Sequence, residues 1–322
     1  MRKKHFLFAS VLALLCGSST LHAQDFKLTS SGYFKNQGVD VMAFDDIYPE
    51  GHQGGVCIIM NGHRVATNGD IRLEATPGQW QPVPKQLDRK LGDNSITATL
   101  CYPDSSRHLT GFNPMIYPDL HLIYTVNVES KGKNIEVTVD LDRPIPQEFI
   151  GKVGFNLEFF PGSLFGKPWI MDGQSGIFPQ QPNSPLMTTQ PNYLHTGNYH
   201  DGKKSLADMD KLIGKGYSPI VADDIISEPY AKGTKFTSRP DDPYNKVTIE
   251  SLSGDLQLFD GRMNHNNGWF VLRSNIKPGV TKGAVKWIIT PNVVADWMYQ
   301  PVIQTSQIGY HPTQDKEAVI EM

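Results

Sequence analysis

Three polar, glycine-bearing stretches hold the side chains best suited to chemistry, and the chemistry they suit is holding a sugar. The first, residues 159–181, reads FFPGSLFGKPWIMDGQSGIFPQQ. Its glycines open backbone conformations closed to other residues, which makes it a shaped loop rather than a plain connector. Within it, Trp169 and Phe178 are flat rings of the kind on which sugars stack, and Asp172 and Gln174 are hydrogen-bonding partners for hydroxyls. The same aromatics would equally seal the end of an apolar core. A second stretch, Asp260 to Trp269, adds His265, Asn267 and Trp269, although Asn and Gly also fill ordinary turn positions. A third, YPEGHQGG at residues 48–55, precedes a strand-like run. Gathered at one end of a fold, the three would line a groove rich in Trp, His, Asn and Gln.

Carboxylates are plentiful but poorly arranged for catalysis. Asp45-Asp46, Asp223-Asp224 and Asp241-Asp242 are adjacent doublets. Neighbours on a strand point to opposite faces, so a doublet supplies no converging acid pair for glycoside hydrolysis. Glu158 sits in a strand-like run with Asn156 on its face, and Asp172 follows soon after, without further marks of an acid and a base. His195 and His200 have no helix to align them on a metal. The chain carries no Gly-x-Ser-x-Gly elbow, phosphate loop or dinucleotide fingerprint. The sequence therefore predicts no catalytic residue, no metal and no cofactor.

The elements that must position these loops read as β throughout. Val56 to Met60, Asn61-Gly62 and His63 to Thr67 predict a hairpin with a two-residue turn, and Asn68-Gly69 predicts a second turn into Ile71 to Ala75. Leu122, Tyr124, Val126 and Val128 alternate with mostly polar residues, as do Ile135, Val137, Val139 and Leu141 beyond a turn at Lys131-Gly132. Such alternation means one face buried and one face wet. Further strands are expected at Val153 to Phe160, Val247 to Leu252, Leu256 to Phe259, Trp269 to Arg273 and Ala284 to Thr290, and Lys204 to Ile213 is the one helical-looking stretch. The expectation is all-β: a large antiparallel β-sandwich over residues 24–301, with Pro179 to Tyr244 as a long insertion.

Composition bounds the setting. Arg2, Lys3 and Lys4, an apolar run from Phe6 to Leu15 and Leu21-His22-Ala23 read as a signal peptide over residues 1–23, cleaved after Ala23. Its removal takes the formal charge from -3 to -6. An acidic chain without basic runs argues against nucleic acid as a partner, and no later run is long enough to span a membrane. The protein is expected to be exported, to the periplasm or beyond. Cys57 and Cys101 remain in the mature chain, as a disulfide or as two buried thiols.

Residues 302–322 read differently from the rest. Val302 to Gln307 is extended, Gly309-Tyr310-His311-Pro312 is a turn, and a second extended run starts at Lys316. Two strands make a marginal structure alone. The run SQIGYHPTQDKEAVIE resembles the opening of the immunoglobulin-like module that precedes the catalytic barrel in cellulase-type family 9 glycoside hydrolases. Gln307, Ile308, Gly309, Tyr310, Pro312, Lys316, Ala318 and Val319 carry the match. Upstream, YPEGHQGGV, FGKPWIMDGQSGIFP, HNNGWFV and WIITPNV resemble the extra N-terminal region of Bacteroidetes-type members. The resemblance implies that residues 302–322 are the first strands of a truncated immunoglobulin-like sandwich, with the catalytic module in cis missing. It also implies that this chain is the non-catalytic part of an endoglucanase-like enzyme, inert as a hydrolase, with a polysaccharide such as β-glucan as partner. A stand-alone glycan-binding protein is the alternative expectation, and a sandwich that is itself a sugar-acting enzyme is a third.

Overall fold

A computed structural model describes residues 25–45, 54–74, 77, 84–102, 120–182, 186–188, 225–263 and 268–321. The expected helix at 204–213, the leader, His195, His200, His265, Asn267 and residues 48–53 lie outside these. The described residues form two nine-stranded antiparallel sheets that face each other as a sandwich.

The first sheet runs, in spatial order, β1 (Lys27–Leu28), β2 (Phe34–Asn36), β3 (Val39–Ala43), β4 (Val56–Met60), β5 (His63–Leu73), β10 (Val153–Phe159), β19 (Phe270–Asn275), β18 (Leu256–Asp260) and β15 (Ala231–Gly233). The second runs β12 (Gln174–Ile177), β11 (Pro168–Met171), β16 (Lys235–Ser238), β17 (Val247–Ser251), β20 (Val285–Pro291), β9 (Asn134–Leu141), β8 (Ile123–Lys131), β7 (Ser95–Cys101) and β6 (Lys85–Leu91). A short pair, β13 (Leu186–Thr188) and β14 (Ile225–Ser227), stands apart.

The period-2 pattern explains the core. Tyr124, Val126 and Val128 on β8 and Ile135, Val137 and Val139 on β9 are all buried, while the residues between them remain partly exposed. Across the interface Phe155 meets Trp287 edge-on, with ring centroids 4.9 Å apart, and the Trp287 indole N–H donates to Ser274 Oγ at 3.0 Å. Phe159 meets Phe236 in the same manner at 5.7 Å. Burying Trp287 fully is possible because its one polar atom finds a partner.

One sequence expectation needs correcting. Asn68-Gly69 is not a turn: β5 runs unbroken from His63 to Leu73, and the pair is a bulge where the register with β4 and β10 shifts. Asn68 takes the left-handed conformation at φ 55° that such a bulge needs. Gly69 lies so close to Val56 that a Cβ would fall 2.6 Å from its side chain. Cys57 is on β4 of the first sheet and Cys101 on β7 of the second, and the two are not bonded to each other.

The segment at 302–321 is a hairpin of its own, β21 (Val302–Thr305) paired with β22 (Ala318–Glu321), in neither large sheet. Gly309 turns at φ 81°, and the Tyr310 hydroxyl donates to the Glu317 carbonyl, which ties the connection together. Before it, Trp297 lies over Gly38, where a Cβ would stand 2.7 Å from the indole, and the Gln37 amide donates to the Trp297 carbonyl. Tyr299 still lies against Gly62, and beyond it Ile303, Val319 and Ile320 are all more than half exposed.

Candidate functional site

Two of the three polar loops do meet. The Arg262 guanidinium holds both Asp260 oxygens and the carbonyls of Pro179 and Gln180 at 2.8–2.9 Å, and it stacks over Phe270 at 4.4 Å. Trp269 packs edge-on against Phe160 at 4.5 Å. These contacts join the two loops beside Phe178 and Phe270, which belong to the core. Trp169 is 6% exposed with its ring against Gly176, and Phe178 is fully buried against Phe270. Neither offers a face on which a sugar can stack. Asp172 occupies a tight β11–β12 turn with Gly173, and its carboxylate accepts from the backbone N–H groups of Thr234 and Lys235. Those bonds hold it below the usual carboxylate range. Gln174 donates to the Lys232 carbonyl at 2.7 Å. Glu158 lies on β10 of the first sheet and Asp172 in a turn of the second, and they are not brought together as an acid pair.

The chemistry lies elsewhere, at the centre of the first sheet. On β10, Phe155 and Phe159 point at the second sheet, so Asn156 and Glu158 point the other way, and both are buried. Antiparallel pairing sets Asp70 of β5 on one side of Asn156 and Arg273 of β19 on the other. Arg273 donates to Glu74 Oε1 at 3.2 Å, the Glu74 carbonyl at 3.1 Å, Asn156 Oδ1 at 3.1 Å and Asn275 Oδ1 at 2.7 Å. Asn156 in turn donates to Glu74 Oε1 at 2.6 Å. The bulge residue Asn68 donates to Glu158 Oε2 at 2.6 Å, so the bulge missed in the sequence is what aims an amide into the cluster. Asp70 accepts from the Tyr124 hydroxyl at 3.0 Å and from the N–H of Ile71.

Arg72 is the exception. It is 8% exposed, and Glu158, Asp70 and Glu74 act on it electrostatically, yet its Nε has no hydrogen-bond partner among the described residues. Leaving an N–H of a buried charged group without an acceptor is costly.

Gly154 makes the network possible. A Cβ there would fall 2.8 Å from Arg273 Nε and 2.9 Å from its Cζ, so only glycine lets the guanidinium lie across the strand. Gly154→Ala should therefore cost about 1–3 kcal/mol by overpacking, read as a lowered midpoint in urea with unchanged slope.

Burial dominates the electrostatics. It pushes Glu74 up to about 7, against the nearby Arg273 and with the help of Glu158. It pushes Asp70 up to about 6, against Arg72, the Ile71 N–H and Tyr124. The phenols of Tyr102 and Tyr124 are driven well above their ordinary value and stay neutral donors. Three carboxyls thus face two guanidiniums, and a proton on Glu74 balances the count near neutral pH. Such a set holds planar donors and acceptors fixed out of water, with one exchangeable proton among them.

In the sequence, Asp70-x-Arg72-x-Glu74 at strand period beside Ile71 and Leu73 reads as the solvated face of a half-buried strand. Strand β10 gives the available warning: every residue from Val153 to Phe159 is buried, so this part of the sheet is covered on both faces.

No family model matches this chain, and no curated protein matches it. Among solved structures it is similar to the Slr1438 protein from Synechocystis sp. PCC 6803, at 10% identity and a TM-score of 0.37, over 90% of this chain and 98% of that one. It is similar also to HI1317, at 8% identity and a TM-score of 0.29, over 81% and 93% of the two chains. At these scores neither assigns a function.

Proposed function

We propose that this chain is a non-catalytic glycan-binding β-sandwich in exported polysaccharide degradation, the N-terminal portion of a cellulase-type, endoglucanase-like glycoside hydrolase with β-glucan as its partner. The observation that carries the reading is the buried set on β5, β10 and β19. Amide, guanidinium and carboxyl groups converge there on a rigid sheet. Groups of this kind, few in number and fixed by a rigid sheet, orient a polyhydroxyl ligand. The exposed apolar hairpin β21–β22 supports the wider reading, since an immunoglobulin-like sandwich would cover such a face with a second sheet.

Affinity electrophoresis of the full mature chain tests this. Barley β-glucan or soluble cellulose derivatives in the gel should retard it, and starch should not. A mobility unchanged by every glucan would end the binding reading and leave a scaffold. Trp169→Ala should lower the melting temperature and leave retardation intact, because that ring is packed in the core.

A further inference from the structure

We infer that residues 297–299 are a latch that seats the hairpin β21–β22 in one orientation at the end of the first sheet. The inference goes beyond the glycan reading and does not depend on it. Exposure alternates along this stretch: Asp296, Met298 and Gln300 face water, whereas Trp297 and Tyr299 are partly buried. Side chains two apart on an extended segment share a face, so both rings turn toward the sandwich. They land on two glycines. A Cβ on Gly38 would stand 2.7 Å from Trp297 Cε3 and 2.9 Å from its Cδ2, and one on Gly62 would stand 3.4 Å from Tyr299 Cε2. Gly38 closes the β2–β3 turn at φ 65° and Gly62 the β4–β5 turn at φ 81°. Consecutive hairpins place these turns side by side at one end of the sheet, where the Asn61 N–H donates to the Gly38 carbonyl at 2.6 Å.

Both glycines thus serve twice: positive φ lets each close its turn, and the bare Cα gives each ring a place to lie. The backbone is tied down as well. The Gln37 amide donates to the Trp297 carbonyl, and the Trp297 N–H donates to the Val294 carbonyl at 3.1 Å. Upstream, Asn292 donates from its backbone to the Lys246 carbonyl at 2.9 Å and from its amide to the Pro243 carbonyl at 2.7 Å. The Asn61 amide donates to the Tyr244 carbonyl of that same loop. Downstream, only Gln300 and Pro301 separate Tyr299 from β21. Proline fixes its own φ and drives the residue before it to an extended conformation, so this joint has little freedom. Such a joint passes the orientation of the seated rings on to the hairpin. With the rings unseated, residues 294–301 become a tether whose ends wander over roughly 15 Å.

Pulsed electron–electron distance measurement on the full mature chain tests this, with nitroxides on Glu148→Cys and Asp315→Cys in a Cys101→Ser background. Both label positions are exposed, one on the sandwich and one in the hairpin connection, and Cys57 is buried. With the latch intact, the distance distribution should be single and narrow. Trp297→Ala should broaden it to a spread on the order of 15 Å. Gly38→Ala should do the same, because its Cβ takes the space the indole fills. Gly62→Ala carries a similar positive-φ strain, but its Cβ meets Tyr299 at ordinary contact distance, so its distribution should stay narrow. If Gly38→Ala does not fold, as judged by its melting curve, Trp297→Ala and Gly62→Ala carry the result. A broad distribution with the latch intact, or a narrow one in Trp297→Ala, would overturn the inference. Broadening in Gly62→Ala equal to that in Trp297→Ala would place the effect in turn strain and overturn it as well.

Discussion

Replacing Arg273 by leucine should destabilise the sandwich by about 3–5 kcal/mol at pH 8, the usual result of removing one partner from a buried ion pair. Arg273 is 1% exposed and donates to four oxygens on β19, β10 and the residue after β5. Leucine fills part of the volume but removes the countercharge that most lowers the Glu74 carboxyl, so at pH 8 that acid either stays ionised, buried and unpaired or is forced to take up a proton. The cost should shrink at pH 5, where Glu74 takes up a proton and no charge is stranded. Arg273→Lys should recover only part of the stability, because an ammonium cannot span four acceptors in the plane of a guanidinium. Urea denaturation at both pH values is the measurement. A loss under about 1 kcal/mol at pH 8, or an equal loss at both pH values, would show that the network does not bear on stability as argued.

The second large effect is a fall in stability as pH rises from about 4 to about 7. Glu74 and Asp70 have folded-state values of about 7 and about 6, against ordinary values of 4.5 and 3.8. The folded protein therefore binds more protons than the unfolded chain within this window, and stability falls with rising pH. Below the ordinary values both states are protonated and the two groups contribute nothing. Above about 7 both states are ionised and the loss is complete, roughly 3 kcal/mol for each group. Asp140, Asp172 and Asp242 act with the opposite sign, since their partners hold them below the usual range. What they add is present above their ordinary value and disappears as pH falls through their folded values. Maximum stability is thus expected near pH 4–5. Glu74→Gln, which imitates the protonated acid, should flatten the decline toward pH 7.5 by about half. A wild-type stability that rises steadily from pH 5 to pH 8 would contradict the assignment.

Much of the architecture was legible in the chain because it depends on local rules. Tyr124, Val126 and Val128 alternate with polar residues and are buried, as alternation demands. Asn61-Gly62 forms the two-residue turn its residue types specify, with both residues at positive φ. The hairpin at 302–321 is equally local, with Gly309 and Tyr310 closing it. Asn68-Gly69 misled because the same dipeptide serves a hairpin turn or a bulge, and the close approach of Gly69 to Val56 of the neighbouring strand decides between them.

The sequence by itself therefore determined an all-β chain, most of its strands, and the hairpin set apart from the main sheets. Only the tertiary structure decided which polar residues matter. Trp169 and Phe178 have the right types for a sugar platform but are consumed by the core, because aromatic area is what a large sandwich must bury. Asp70, Arg72 and Glu74 look like a solvated strand face until Asn156, Glu158 and Arg273, far away in the chain, pair beside them and the whole set is removed from water. Alternation tells which residues share a face of a strand. Whether that face meets water or protein depends on what packs over it, and strand period carries no record of that.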